Sequence, residues 1–238
     1  ECTATSPTLD LVNVTQSKSC NANYVARLRI AGVANPTNAG VVTASSSSAA
    51  AVCASEACTV DAGSTVSLSA VASSGQRFTG WSGGGACTGT QNPLVLSNVT
   101  SALTCTASFV QRVTVAYPDP ANGSVAASNF PTTANCGATS CVLDRGAALR
   151  LTATADANYR FRAWSGCSTS TNPVLDLTNI TANTTCTANF VLRVRIAGVA
   201  NPANAGAVTA SSNGTAAQCD GAACVVPLEA PVRSRPPG

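Results

Sequence analysis

Histidine is absent from all 238 residues and lysine occurs once, as Lys18. Without histidine the chain lacks the usual general base for a serine or cysteine nucleophile and the commonest nitrogen ligand of zinc. Ser82 and Ser165, each following a tryptophan, would have only Lys18 or a carboxylate to activate them, which argues against catalysis at either. A single lysine also excludes Lys–Asn isopeptide crosslinks that recur along the chain. Charged residues make up only 10% of the sequence and the net charge is +3, with arginines scattered instead of clustered, so no nucleic-acid footprint is expected. The 10 acidic residues do not fall at the dense spacing of calcium loops. No apolar run approaches the ~20 residues of a membrane span. No charged-then-apolar leader stands at the amino end, so a secreted protein would here be read as a mature or internal segment. The expectation is a non-enzyme with no cofactor and no metal.

Cysteine, in contrast, is abundant and periodic. Cys53 and Cys58, Cys136 and Cys141, and Cys219 and Cys224 are three pairs five positions apart, and they recur at 136 − 53 = 83 and 219 − 136 = 83. A second series pairs Cys2 with Cys20, Cys87 with Cys105 and Cys167 with Cys186, at separations of 18, 18 and 19, and uses up all 12 cysteines. An even number at regular spacing predicts six disulfides in an oxidising compartment outside the cytoplasm. A zinc-binding or reduced set fits worse, since there is no CxxC and carboxylates are few. By loop-closure entropy the longer bridges are worth roughly 3 kcal/mol each and the shorter ones ~2 kcal/mol.

The text between the cysteines repeats as well. "RIAGVANPTNAG" starts at Arg29 and "RIAGVANPANAG" at Arg195, 195 − 29 = 166 residues on. Superposing copies divides the chain into 1–26, the back part of a repeat; 27–110 and 111–191, two complete repeats; and 192–238, the front part of another. Alternate copies are the more alike, so the period is a pair of units. Helical periodicity is missing, whereas Val, Thr and Ser in period-two alternation recur throughout. Leu28 and Ile30 alternate with Arg27 and Arg29, Val194 and Ile196 with Arg193 and Arg195, and Val66, Leu68 and Ala70 share a face, as do Leu149, Leu151 and Ala153. Cys105, Ala107 and Phe109 form another such face, repeated in Cys186, Ala188 and Phe190 and in Cys20, Ala22 and Tyr24. The predicted fold is all-β and mainly antiparallel: tandem small modules, each stapled by two disulfides.

Each complete unit carries an aromatic strand and a Gly/Ser turn, "QRFTGWSGGGACTG" around Trp81 and "YRFRAWSGCSTS" around Trp164, and closes on "CTASF" or "CTANF". This combination resembles the divergent internalin-B-type B-repeat family of bacterial surface and secreted proteins. The resemblance covers nearly the whole chain and implies a β-grasp-like module strung along a large extracellular or cell-surface protein. Phe78, Trp81, Phe109, Phe161, Trp164 and Phe190 are read as the core anchors of units poor in aromatics. An exposed Trp81 or Trp164 would instead be a platform for sugar rings. In a bacterial setting the sequons at Asn13, Asn98 and Asn179, with others at Asn122, Asn183 and Asn213, read as turn residues; in a eukaryotic secretory pathway they would be glycan acceptors. The function expected is a structural fibre, stalk or surface filament whose partners are copies of itself or neighbouring repeats, end to end. The alternative is an adhesin whose repeats hold surface glycan or protein through Trp or Arg faces.

Overall fold

A computed structural model describes residues 2, 6–199, 201, 208–212, 218–220, 223–227 and 232–234. The chain divides into two compact units, Glu1–Phe109 and Val110–Gly238. Among the described residues there are strands and no helix.

The first unit is built from β1 (Arg27–Asn35), β2 (Gly40–Ser45), β3 (Val52–Ala54), β4 (Ala57–Asp61), β5 (Val66–Ala72), β6 (Gln76–Gly83), β7 (Leu94–Leu96) and the first half of β8 (Leu103–Ala116). Two sheets form. In one, the β3–β4 hairpin lies antiparallel to β1, β1 runs parallel to β8, and β6 takes the other side of β8. The other is an antiparallel sheet in the order β2-β5-β7. A parallel pair needs a long crossover, normally a helix. Here the crossover is the second sheet itself, so the likeness to a β-grasp stops short of its helix. The core lies between the sheets, with Ile30, Val60, Cys105 and Ala107 from one and Val42, Val66, Leu68, Leu94 and Leu96 from the other.

The second unit repeats this plan. The second half of β8 is followed by β9 (Gly123–Ser128), β10 (Asn135–Cys136), β11 (Ser140–Asp144), β12 (Leu149–Ala155), β13 (Tyr159–Gly166), β14 (Val174–Leu177) and β15 (Thr184–Ala197). β10–β11 and the second half of β8 pair antiparallel, β8 meets β15 in parallel, and β13 lies antiparallel to β15. The second sheet is β9-β12-β14. A third copy begins in the same unit: the end of β15 pairs with β18 (Ala223–Pro227), which forms a hairpin with β17 (Gln218–Asp220), while β16 (Ala210–Ser212) pairs with β19 (Val232–Ser234).

The alternation read from the sequence reappears as burial. Val66, Leu68 and Ala70, and likewise Leu149, Leu151 and Ala153, point inward, and so do Cys105, Ala107 and Phe109. Two stretches depart from it. Residues 6–26 form no strand, and Tyr24, the counterpart of Phe109, is 93% exposed. In complete units that strand is held between β1 and β6, or between β8 and β13; no described strand flanks residues 6–26. Ile196 is also exposed, because Ile30 faces Leu103 of the neighbouring parallel strand and no such partner of Ile196 is among the described residues.

Asn13, Asn98 and Asn179 all take positive φ, of 54°, 50° and 50°, and all are exposed. Asparagine tolerates this left-handed conformation better than other non-glycine residues. The turn aims the next residue inward: Val99 and Ile180 are buried, and each exchanges backbone hydrogen bonds with the turn after β4 or β11 (Gly63 N to Val99 O at 2.8 Å, Val99 N to Ser64 O at 3.0 Å; Gly146 N to Ile180 O at 2.7 Å, Ile180 N to Ala147 O at 3.0 Å). Asn122 also has positive φ, Asn183 accepts the Thr114 amide at 2.8 Å, and Asn213 lies outside the described residues.

Candidate functional site: an aromatic core closed by disulfides

Phe161 and Trp164 are three residues apart on β13, a spacing that puts side chains on opposite faces of a regular strand. Both nevertheless reach the core. The register against β15 shifts between Phe161 and Ala163, a bulge that takes up one residue and resets the alternation. Phe161 therefore stands opposite Phe190, with ring centroids 5.8 Å apart, and packs on Trp164 at 5.5 Å. The first unit holds the same trio: Phe78 lies 5.5 Å from Trp81 and 5.8 Å from Phe109. There Gly80 takes a φ of +148°, and a Cβ at that position would come within 3.0 Å of Gly89 O. The Phe161–Trp164 pair is tilted and the other three contacts are edge-to-face, and edge-to-face pairs stabilise beyond the area that the rings bury.

Trp81 is 5% exposed and Trp164 is 2% exposed. Their indole N–H groups donate to Gln91 O at 2.9 Å and Asn172 O at 3.0 Å, and their backbone amides donate to Gly89 O and Ser170 O in the same loops. Buried and spent in this way, neither ring offers a face to a sugar. In the first unit Asn92 fastens the loop further, accepting from Ala70 N at 2.9 Å and donating to Ala70 O at 2.6 Å. Gly40 and Gly123, at the starts of β2 and β9, let Phe109 and Phe190 approach so closely that a Cβ at either glycine would overlap the ring.

All 12 cysteines are paired, and the pairs are Cys2–Cys20, Cys53–Cys58, Cys87–Cys105, Cys136–Cys141, Cys167–Cys186 and Cys219–Cys224. The short bridges cross the β3–β4, β10–β11 and β17–β18 hairpins between directly opposed residues. Cys87–Cys105 and Cys167–Cys186 fasten the loop beyond the tryptophan strand to β8 or β15, where Cys105 and Cys186 are fully buried. Each complete unit is thus closed at its hairpin and at its last strand.

One recurring residue escaped the reading of arginines as scattered. Arg27 and Arg112 open the two complete units, and each clamps the adjacent hairpin. Arg27 Nη1 donates to Ala50 O at 2.7 Å and Asp61 Oδ1 at 3.0 Å, and Nη2 donates to Thr59 O. Arg112 reaches Thr133 O, Val142 O at 2.6 Å and Asp144 Oδ1 at 3.4 Å. Arg193 begins the third copy and donates to Gln218 Oε1 at 2.7 Å. Periodicity was the available signal, since 112 − 27 = 85 and 193 − 112 = 81. On the surface, Arg150 makes a two-bond pair with Asp176 at 2.6 and 2.8 Å; its hydrogen bonds hold that carboxyl below the ordinary range, but so exposed a pair adds little stability. Ser82 is exposed, and Ser165 Oγ accepts from the Asn189 amide at 2.9 Å.

At one inward position Gly32 of the first unit is replaced by Tyr117 in the second. Tyr117 is fully buried, and its hydroxyl donates to Gly137 O at 2.8 Å. Burial disfavours the phenolate and raises the pKa above the ordinary value of 10.0. A raised folded-state pKa gives stability that is complete below the unfolded value and is lost as pH rises through the folded one. The second unit is therefore expected to weaken above about pH 10, and Tyr117→Phe to flatten that decline. Melting curves across the alkaline range check this; an equally steep decline in the variant would contradict it.

No curated protein gave a significant match to the chain. The divergent InlB B-repeat domain matches it twice in tandem, over residues 33–112 and 113–193. The two matches span more than half of the sequence and overlap the two copies that share the aromatic trio, the tryptophan-capping loop and the paired staples. The chain belongs to the divergent InlB B-repeat family.

Proposed function

We propose that this protein is a non-enzymatic structural element of the cell exterior, a run of disulfide-stapled β modules that builds a stalk, fibre or surface filament of a bacterial cell. The observation that carries this reading is the fate of the side chains capable of chemistry. The tryptophans are buried, the cysteines are paired, and the arginines that open each unit are bonded to backbone carbonyls and acids of their own hairpins. That arrangement supports a function in shape and durability. An adhesin working through tryptophan faces loses its platform, and one working through Arg27 or Arg112 would have to break intramolecular bonds first.

End-to-end association with neighbouring copies is part of the proposal. Leu9, Leu11, Val14 and Tyr24 are exposed, whereas their counterparts Leu94, Leu96, Val99 and Phe109 are core residues. Residues 8–24 therefore carry the pattern of a closing segment and suit the front part of another repeat, by strand addition. Gold-labelled antibody on intact and sectioned producing cells tests the reading. Label on threads at the cell surface or in the medium is expected, and label confined to the cytoplasm would overturn it.

A further inference from the structure

We infer that each unit is a shear clamp, and that the first unit resists stretching more strongly than the second. The inference rests on the structural reading above for its use in the cell, but its test reads purified protein. The chain enters the first unit through β1 and leaves through β8, and these two strands lie side by side in parallel. Their partners run from Ile30 opposite Leu103 to Asn35 opposite Ser108, six positions in register. In a parallel pair, the entering end of one strand and the leaving end of the other lie at opposite extremities. Tension along the chain therefore slides the strands past each other and loads every rung together, whereas tension on a hairpin opens one rung at a time.

Three further features strengthen the clamp. The first half of β1 is also held by β4, from Arg27 opposite Asp61 to Ala31 opposite Ala57, so drawing β1 out shears both of its edges. Arg27 latches the entry point through its bonds to Ala50 O, Thr59 O and Asp61. Cys53–Cys58 and Cys87–Cys105, at sequence separations of 5 and 18, withhold the loops that they close from any extension. In the second unit the corresponding parallel contact is shorter, with only Val115 opposite Thr184 and Ala116 opposite Thr185. Six rungs against two set the order in which the units yield.

The experiment is single-molecule stretching of the full 238-residue chain between terminal handles under non-reducing conditions. About 20 Gly/Ser residues inserted between Ser74 and Gly75 label the first unit; a Cβ at Gly75 would meet nothing within 4 Å, and long insertions in such loops are tolerated. The insertion lengthens that unit's release by roughly 70 Å. The longer release is expected last and at the higher force. Reduction is expected to add roughly 80 Å to it, the extended length of the residues enclosed by the two bridges. Val33→Pro probes the rungs themselves. Gly32 N donates sideways to Glu56 O, so by alternation the Val33 amide faces β8, while its side chain is 42% exposed and leaves the core intact. This variant is expected to lower the force of the labelled release alone. The labelled unit yielding first, or the two yielding in random order, would overturn the inference. Because the unsubstituted chain decides the order, a variant that fails to fold leaves the test standing. Clamp behaviour in a protein confined to the cytoplasm would remove the proposed function and leave the clamp, and the reverse outcome would do the opposite.

Discussion

Trp164→Ala is expected to destabilise the second unit by about 3–5 kcal/mol, the usual cost of deleting a large buried aromatic side chain. The ring is 2% exposed, packs on Phe161 at 5.5 Å and donates to Asn172 O, so its removal leaves a cavity, a Phe161 ring that keeps only Phe190 of its two aromatic neighbours, and an unpaired carbonyl together. Domains are commonly stable by only ~5–15 kcal/mol, and a small unit with few aromatics stands near the lower end. The variant is therefore expected to unfold its own unit at mild denaturant while the other stays folded. Trp81→Ala does the same to the first unit. Since the chain has only 2 tryptophans, each variant keeps one fluorophore, which reports on the unit left intact, while circular dichroism follows the unit that is lost. A cost below about 1 kcal/mol would mean that the ring is not buried, and would reopen the glycan-stacking alternative.

Removing the long staple of the first unit, by Cys87→Ala with Cys105→Ala, is expected to cost roughly 3 kcal/mol, against ~2 kcal/mol for Cys53→Ala with Cys58→Ala. The ranking follows from the sizes of the closed loops, 18 residues against 5, because the larger loop restricts more of the unfolded chain. Alanine is the better replacement here, since Cys87 and Cys105 are both fully buried and serine would bring in unpaired hydroxyls. Thermal melts of the two double variants check the order. Equal losses, or a larger loss at the hairpin bridge, would show that the staples act through native-state packing more than through chain entropy.

What the sequence made legible was whatever depends on a fixed spacing. Strand faces such as Val66, Leu68 and Ala70 follow from period-two alternation, and the cysteine spacings allow one regular pairing that leaves none over. The turn role of Asn98 and Asn179 was legible from the residue type and from their place after a short apolar strand. Features that depend on meeting a distant partner were not legible. Nothing local signals that β1 pairs in parallel with a strand some 70 residues later, because parallel register is a product of the crossover. The bulge beside Arg162 hides in a spacing that looks wrong for a strand, and only the positions of Phe161 and Trp164 in the core explain it. Gly40 and Gly123 read as ordinary turn glycines; what they accommodate is a phenyl ring more than 65 residues ahead. Tyr24 shows the converse limit. Its alternation with Ala22 and Cys20 is as regular as that of Phe109, yet without flanking strands the pattern alone buries nothing.

The central claim is that the chain is a tandem array of units, each closed upon itself by its own bridges, and a map of disulfide-linked peptides made under non-reducing conditions tests it most directly. The map is expected to show Cys53–Cys58 with Cys87–Cys105 in the first complete repeat, Cys136–Cys141 with Cys167–Cys186 in the second, and Cys2–Cys20 and Cys219–Cys224 in the partial copies on either side. A bond joining cysteines of different repeats, such as Cys58 to Cys141, would contradict it.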